Sequence, residues 1–285
     1  MVWPMNNLAP GIYDNLDAAQ YHADAAVGSS TLKTIAGRTP AHLAAVREPT
    51  RAMEFGSAFH IAVLEPEKLE SQVVRGPEDR RGNKWTIPKA EAEAAGKILM
   101  VSHEYDEVFR MRDAVHADAG VAELLRGKTA MEQSIFWVDP ETGIPCRARA
   151  DCRNYDLNIL IDVKTANDAS ARGFARDLYS LGYHIQDAHY CAGYRHHHVM
   201  VDAFLFIAVE KTFPYLSAVY ELDRATRAEG WNVRQEAMQT LLRCRQSGVW
   251  PGYPSGVQRL RIPAYGFKTL DPNDMMFAEI PAVQV

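Results

Sequence analysis

The order of hydrophobic patterns predicts a mixed α/β (α+β) fold, with one central mixed β-sheet flanked by helices. Three observations carry this. Helical periodicity dominates up to about residue 125, and three short strand-like runs then follow one another between turn residues. Helical patterns resume after them, interrupted once by the apolar run AFLFIAV at 203–209. Runs of helices around runs of strands are the mark of a layered domain with one sheet. No linker stands out, so the chain reads as one domain over 1–285. An irregular arm is expected over about 1–14 and an irregular tail over about 252–285.

Each element has a local reason. A helix is expected to start near Ser29 and Ser30, whose hydroxyls suit an N-terminus, and to close at Gly37 and Pro40. A second helix is expected over 54–64 and ends at Glu65-Pro66, because the residue before proline avoids the helical region. The stretch RGPEDRRGNKWTIP at 75–88 reads as a mobile basic loop. The text from 89 to 125 reads as helical. Strands are expected over 133–138, 145–153 and 158–165. Helices follow over 169–181 and 183–198, then a buried strand over 202–210 and a polar helix over 221–247.

Composition bounds the function class. Apolar residues make up 47% of the chain, with 18 Gly and 15 Pro, which excludes a disordered tail or a collagen-like repeat. The seven-residue run at 203–209 is the longest apolar one, far short of a membrane span, so no membrane role is expected. The first twenty residues carry no basic segment followed by an apolar stretch, and four Cys in 285 residues suit a reducing compartment. A cytoplasmic location is the expectation. A net charge of −5 argues against a passive nucleic-acid coat. It leaves room for an enzyme with acids at a metal site.

The informative stretch is RARADCRNYDLNILIDVKTA at 147–166. Alternation puts Arg147, Arg149 and Asp151 on one strand face, and Leu160, Asp162 and Lys164 on one face of the next. A hairpin centred on Asp156-Leu157 sets Asp151 directly opposite Asp162. Opposed carboxylates repel each other, and a divalent cation between them relieves the repulsion. Oxygen ligands favour Mg²⁺ or Mn²⁺ over Zn²⁺. Lys164 points the same way, within reach of a water or phosphate beside the ion. An acid-x-Lys triplet alone is commonly a solvated face, but Asp162 sits in the middle of an apolar strand. Gln186 and Tyr190 are four apart and share a helix face. His60 lies in an apolar helix, where a lone His is more often a core residue than a ligand. Consecutive helical residues point about 100° apart. His196, His197 and His198 therefore read as a helix end rather than a metal site.

Taken in order, His60, Asp151, Asp162-Val163-Lys164 and Gln186-x-x-x-Tyr190 resemble the signature of the PD-(D/E)XK nuclease superfamily in its RecB-like branch. The resemblance tightens to the RecE-type, exonuclease VIII-like phage recombination exonucleases. It rests on Tyr21-His22 with SSTLK at 29–33, on a G-x-A-x-H-x-x-x-L-x-P segment at 56–66, and on DVKTANDAS at 162–170. GYHIQDAHY at 182–190 and VEKTFPY at 209–215 complete it, over about residues 15–255. It implies that His60, Asp151, Asp162 and the Val163 carbonyl bind divalent metal, Mg²⁺ with Mn²⁺ as a substitute. It implies that Lys164 positions or deprotonates the attacking water. Gln186 and Tyr190 would hold the lysine, the metal shell or the scissile phosphate. Glu132 is a further candidate, either a ligand or an acid behind the ligands. Ser29 and Ser30 either hold a terminal phosphate or simply begin the helix. Arg75, Arg80, Arg81 and Lys84 either grip the DNA backbone or decorate a solvated loop. An iron–sulfur cluster is not expected, since only Cys244 lies beyond Cys191.

The activity implied is a Mg²⁺-dependent 5′→3′ exonuclease acting on double-stranded DNA ends and leaving 3′ single strands for annealing recombination. The resemblance also implies a closed homo-oligomeric ring, trimer or tetramer, a single-strand-annealing partner, and a phage or prophage setting in a bacterial host. The rivals are another PD-(D/E)XK activity, such as a structure-specific endonuclease or a 3′→5′ exonuclease, and a catalytically silent DNA-binding module.

Overall fold

The structure, a computed structural model, describes residues 8–45 and 49–260. The start of the expected arm (1–7) and most of the expected tail (261–285) lie outside the described residues. The described residues up to Gly252 form one compact unit, and a second begins at Tyr253, of which 253–260 is described and carries no helix or strand.

Strand β1 (Gly11–Tyr13) and the short helix α1 (Ala18–Ala23) come first. Helix α2 spans Ser29–Gly37, with Gly28 rather than a serine at its N-cap. Helix α3 spans Arg51–Leu64. It begins three residues before the expected start, because the Thr50 side chain caps it by accepting from the Met53 N–H at 3.3 Å. Its end falls at the expected Glu65-Pro66.

The segment from 69 to 124 differs most from expectation. It holds α4 (Leu69–Gln72), β2 (Val73–Arg75), α5 (Asn83–Ala94), β3 (Ile98–Met100), α6 (Ser102–Ala117) and α7 (Ala119–Leu124). The expected basic loop is therefore part strand and part helix, with Pro88 inside α5. Strands β2 and β3 pair in parallel, apart from the main sheet. Each is three residues long and carries no alternation to betray it.

The main sheet has the order β1-β4-β5-β6-β7-β8. It is built from β4 (Thr129–Val138), β5 (Pro145–Asn154), β6 (Ile159–Ala166), β7 (Ala203–Glu210) and β8 (Ser217–Glu221), with β1 on one edge. Only β6 and β7 run parallel. A parallel neighbour needs a crossover. Helices α8 (Ala171–Ser180) and α9 (Tyr183–His196) supply it. Helix α10 (Arg224–Ser247) closes the fold, capped by the Asp223 carboxylate on the Thr226 N–H at 2.7 Å and stopped by Gly248 in the left-handed region. The His196–His198 run does end a helix, and His197 Nε2 lies 2.8 Å from the Phe136 carbonyl oxygen.

Two apolar clusters cover the sheet. One joins Leu32 of α2, Tyr194 of α9 and Met238 of α10 to Trp137, Leu160 and Phe206. The other joins Phe59 of α3 and Met111 of α6 to Ile161, Val163 and Ile207. Helices α9 and α10 approach closely at Gly230, where a Cβ would collide with the His184 carbonyl oxygen.

His189 of α9 pins the chain just before α2. Its Nε2 lies 3.1 Å from both the Val27 and Arg147 carbonyl oxygens, so the tautomer with a proton on Nε2 donates to them. Burial, with Arg234's charge behind it, pushes the imidazole down to about 3 from 6.5. Between these values the unfolded chain binds a proton that the native chain does not. Stability from this group is full above about pH 6.5 and falls as pH drops towards 3, by at most about 1.4 kcal/mol per unit. From pH 7.5 to 5, chemical denaturation is expected to show a stability loss about 1–2 kcal/mol larger for the parent than for His189→Gln. Parallel pH curves would contradict this.

Candidate active site

The site is built where three neighbouring strands part. Strands β5 and β6 pair as Asn154↔Ile159, Arg153↔Leu160 and Cys152↔Ile161. This is the register of the expected hairpin, and one more step would set Asp151 opposite Asp162. The ladder ends there. Instead, Asp151 Oδ2 accepts the Val163 N–H at 2.7 Å. A side chain has taken the place of a backbone acceptor, which satisfies the buried donor and lets the strands splay. On the other side of β5, pairing with β4 runs through Gln133↔Ala150 and Met131↔Cys152, while Glu132, between them, has φ 51. A non-glycine residue in the left-handed region is strained, and such strain concentrates at functional sites.

Asp162 is 1% exposed. Its Oδ1 accepts from Gln186 Nε2 at 2.5 Å, and the Lys164 ammonium lies against its Oδ2. That Oδ2 takes no hydrogen bond meeting ordinary geometry. His60 Nε2 lies 2.5 Å from the Val163 carbonyl oxygen and 3.7 Å from Asp151 Oδ2. One ligand atom from each of His60, Glu132 and Asp151 falls within 4.8 Å of the others.

The electrostatics are those of acids held too close together. Burial and then the Asp162 charge push the Asp151 carboxyl up. Burial, then Asp151, pushes Glu132 up to about 8. Burial opposes charge on Lys164, but Asp162 and Asp151 more than offset it and hold its ammonium above the ordinary value. A divalent cation fits this donor set. It would be met by the carboxylates of Glu132 and Asp151 and the His60 imidazole, with the Val163 carbonyl beside the imidazole, while Asp162 stands next to this group with its Oδ2 held by Lys164.

An open cavity of about 700 Å³ leads to the cluster, with His60, Glu132, Asp151 and Tyr190 on its wall. Asp162, Lys164 and Gln186 stand behind that wall. Burial, with smaller contributions from neighbouring charges including the three acids, raises the Tyr190 hydroxyl well above its ordinary value. Ser29 and Ser30, at the start of α2, also line the cavity.

Arg147 and Arg149 line it as well, and both stack over the Tyr21 ring, at 4.8 and 4.2 Å. Arg149 Nε donates to Ser134 Oγ at 2.8 Å and its Nη2 to the Leu16 carbonyl at 2.9 Å; Arg147 Nη1 donates to the Asp24 carbonyl at 2.7 Å. The two arginines thus fix the 16–24 segment to the sheet and give the cavity a cationic wall. Alternation puts both on the Asp151 face, but nothing in the sequence gives them a role. Lys33 and Tyr183 were also missed. Lys33 Nζ donates to Gln186 Oε1 at 2.8 Å, and the Tyr183 ring lies 5.1 Å from both Lys33 Nζ and Lys164 Nζ. Tyr183 is three residues before Gln186 on one helix face, a spacing visible in the sequence.

The four basic residues expected on a loop are not at this cavity. Arg75 pairs with Asp106 at 2.9 Å, and Arg80 pairs with Glu104 at 2.7 Å while stacking over Trp85 at 4.9 Å. Each has an acid within contact distance, so neither presents an uncompensated charge. Arg81 and Lys84 are exposed, the second on α5. Among the described residues, no helix is long and apolar enough to cross a membrane.

Comparison with known proteins agrees with the geometry. A protein from Eubacterium rectale, solved under the name "Putative exonuclease", superposes with a TM-score of 0.61 at 14% identity, over 93% of this chain and 99% of that one. At that identity the likeness shows the fold. A second solved structure, SSO0001, gives a TM-score of only 0.29 at 13% identity, over 74% of this chain and 85% of that one. No curated protein matches the sequence. Residues 28–262 match the family described as a PDDEXK-like domain of unknown function. That span holds the parted strands, the acid cluster, and the helices on both sides of the sheet. The chain is a member of this PDDEXK-like family, DUF3799.

Proposed function

We propose that the chain is a Mg²⁺-dependent nuclease that resects double-stranded DNA ends 5′→3′ and leaves 3′ single strands for annealing recombination. The observation that carries the nuclease reading is the Asp151 carboxylate on the Val163 N–H at parted strands, next to Asp162, with Lys164 against Asp162 and His60 at the Val163 carbonyl. Polarity, duplex preference and the recombination setting rest on the resemblance to RecE-type exonucleases.

His60, Asp151, Asp162 and the Val163 carbonyl would hold the metal on the strength of the resemblance, and Glu132, whose carboxylate groups with His60 and Asp151, would be a further ligand. When bound, the ion supplies a water of lowered pKa and neutralises charge on the phosphate being cleaved. Gln186 holds one oxygen of Asp162, leaving the other facing Lys164. Lys164 brings a positive charge beside the reacting phosphate. Tyr190 stands on the cavity wall, where it would meet the scissile group. Ser29, Ser30, Arg147 and Arg149 would receive phosphate oxygens in the same cavity. Arg81 and Lys84 would meet the duplex backbone further out, with Arg75 and Arg80 holding that region together. A ring-shaped homo-oligomer, trimer or tetramer, an annealing-protein partner and a phage-encoded origin in a bacterial cytoplasm complete the proposal.

The test is a linear duplex with one 5′ end blocked, incubated with Mg²⁺. Loss of nucleotides from the open 5′ end alone is expected. Degradation from the 3′ terminus would reject the polarity, cutting of closed circles would favour an endonuclease, and no cleavage would favour a silent binding module.

A further inference from the structure

Helix α2 sends one side chain towards the buried side of the acid cluster. Lys33 lies in its second turn, and its stem crosses the start of α9 at Gly182, where an added Cβ would meet Lys33 Cγ at 3.1 Å. Gly182 has φ 65, so a side chain there would be disfavoured by backbone and by space together. The start of α2 is itself fixed, since Val27 bridges to Cys146 and accepts from His189. Lys33 therefore has a set origin and a set path, and it ends 2.8 Å from Gln186 Oε1.

An amide side chain is nearly symmetric in shape, and its neighbours decide which end faces which way. A lysine nitrogen, charged or neutral, has N–H groups to donate. With that donor at Oε1, the NH₂ end of Gln186 must face Asp162 Oδ1, as it does at 2.5 Å. Asp162 then has one oxygen engaged and the other directed at Lys164. The same lysine lies 5.1 Å from the Tyr183 ring, whose centroid is also 5.1 Å from Lys164 Nζ.

We infer that Lys33 is a positioning residue for the metal-binding carboxylate, acting through Gln186 to fix the orientation of Asp162. This rests on the proposed nuclease reading of the site, in which Asp162 is a ligand. Groups behind metal ligands typically change metal affinity or activity 10–100-fold when removed.

The test is a double-mutant cycle with Lys33→Met, which keeps the stem, and Gln186→Leu. It is read by calorimetric Mn²⁺ titration and by kcat and KM on linear duplex DNA. Lys33→Met is expected to weaken Mn²⁺ binding and lower kcat about 10–100-fold, with KM for DNA within about threefold. In the Gln186→Leu background the same change is expected to add less than about threefold, because the relay is already broken. Lys33→Arg, which returns N–H donors, should recover most of the loss. If Lys33→Met does not fold, Lys33→Leu, which also lacks a donor, takes its place in the cycle with the same expected outcomes. Independent effects that multiply would overturn the inference, as would a rise in KM alone or unchanged Mn²⁺ binding. Should the parent protein cleave no DNA, the nuclease reading fails, and the Mn²⁺ cycle still decides the role of Lys33.

Discussion

Asp162→Asn is expected to lower DNA hydrolysis by at least about 10³-fold, a barrier increase of about 4 kcal/mol. The substitution keeps the shape and removes the charge. Asp162 is buried in the middle of β6, between Ile161 and Val163 of the apolar cluster under α3 and α6. An isolated charge there would be expensive. Its neighbours are Lys164 on one oxygen and Gln186 on the other, with Asp151 one strand away. An asparagine can still meet Gln186, but it gives Lys164 no opposite charge and a cation no anionic oxygen. The measurement is Mg²⁺-dependent digestion of linear duplex by both proteins, each first shown by circular dichroism to be folded. Equal rates would reject the assignment of Asp162.

The largest expected loss of stability lies far from that cluster. Arg234 of α10 is 1% exposed, and its Nη2 donates to Asp139 Oδ2 at 2.6 Å. Asp139 opens the turn between β4 and β5 and also accepts from the Thr142 hydroxyl at 2.8 Å. Burial alone would raise the Asp139 carboxyl, but Arg234 and Thr142 more than offset it and hold it below the ordinary range. Arg234→Leu strands that carboxylate in the interior. Breaking one side of a buried pair costs about 3–5 kcal/mol, and that loss is expected in urea unfolding. Replacing both residues, as Arg234→Leu with Asp139→Asn, should cost less than the single change, because no unpaired charge remains. A single-variant loss under about 1 kcal/mol would show the pair to be dispensable.

Much of the chemistry was legible because β-strands declare themselves by alternation and by their turns. The run 145–166 has both, so the hairpin register could be read without coordinates, whereas the end of the ladder at Cys152 and Ile161, where the Asp151 carboxylate takes the Val163 N–H in place of a pairing with Asp162, could not. Edge strands of three to five residues such as β1 and β8 carry no such period, and β1 falls in text that reads as an irregular arm. The region 75–88 misled for a physical reason: Gly and Pro usually mark loops, yet Pro88 sits inside α5, and two of the arginines are bound by acids on α6. Lys33 looked like any helical lysine, since nothing local says that its end is buried beside Gln186. Glu132 is visible as an acid at a strand entry, but nothing local announces its φ of 51 or the break in the β4–β5 ladder there.

The central claim is that Asp151, Asp162, His60 and the Val163 carbonyl share one divalent cation. Crystals soaked in Mn²⁺ and measured at the manganese absorption edge test it most directly. An anomalous peak within coordinating distance of both aspartates is the expected result, and it should vanish in Asp162→Asn. A peak bound by other residues, or no peak while Lys164 still fills the space against Asp162, would contradict the account.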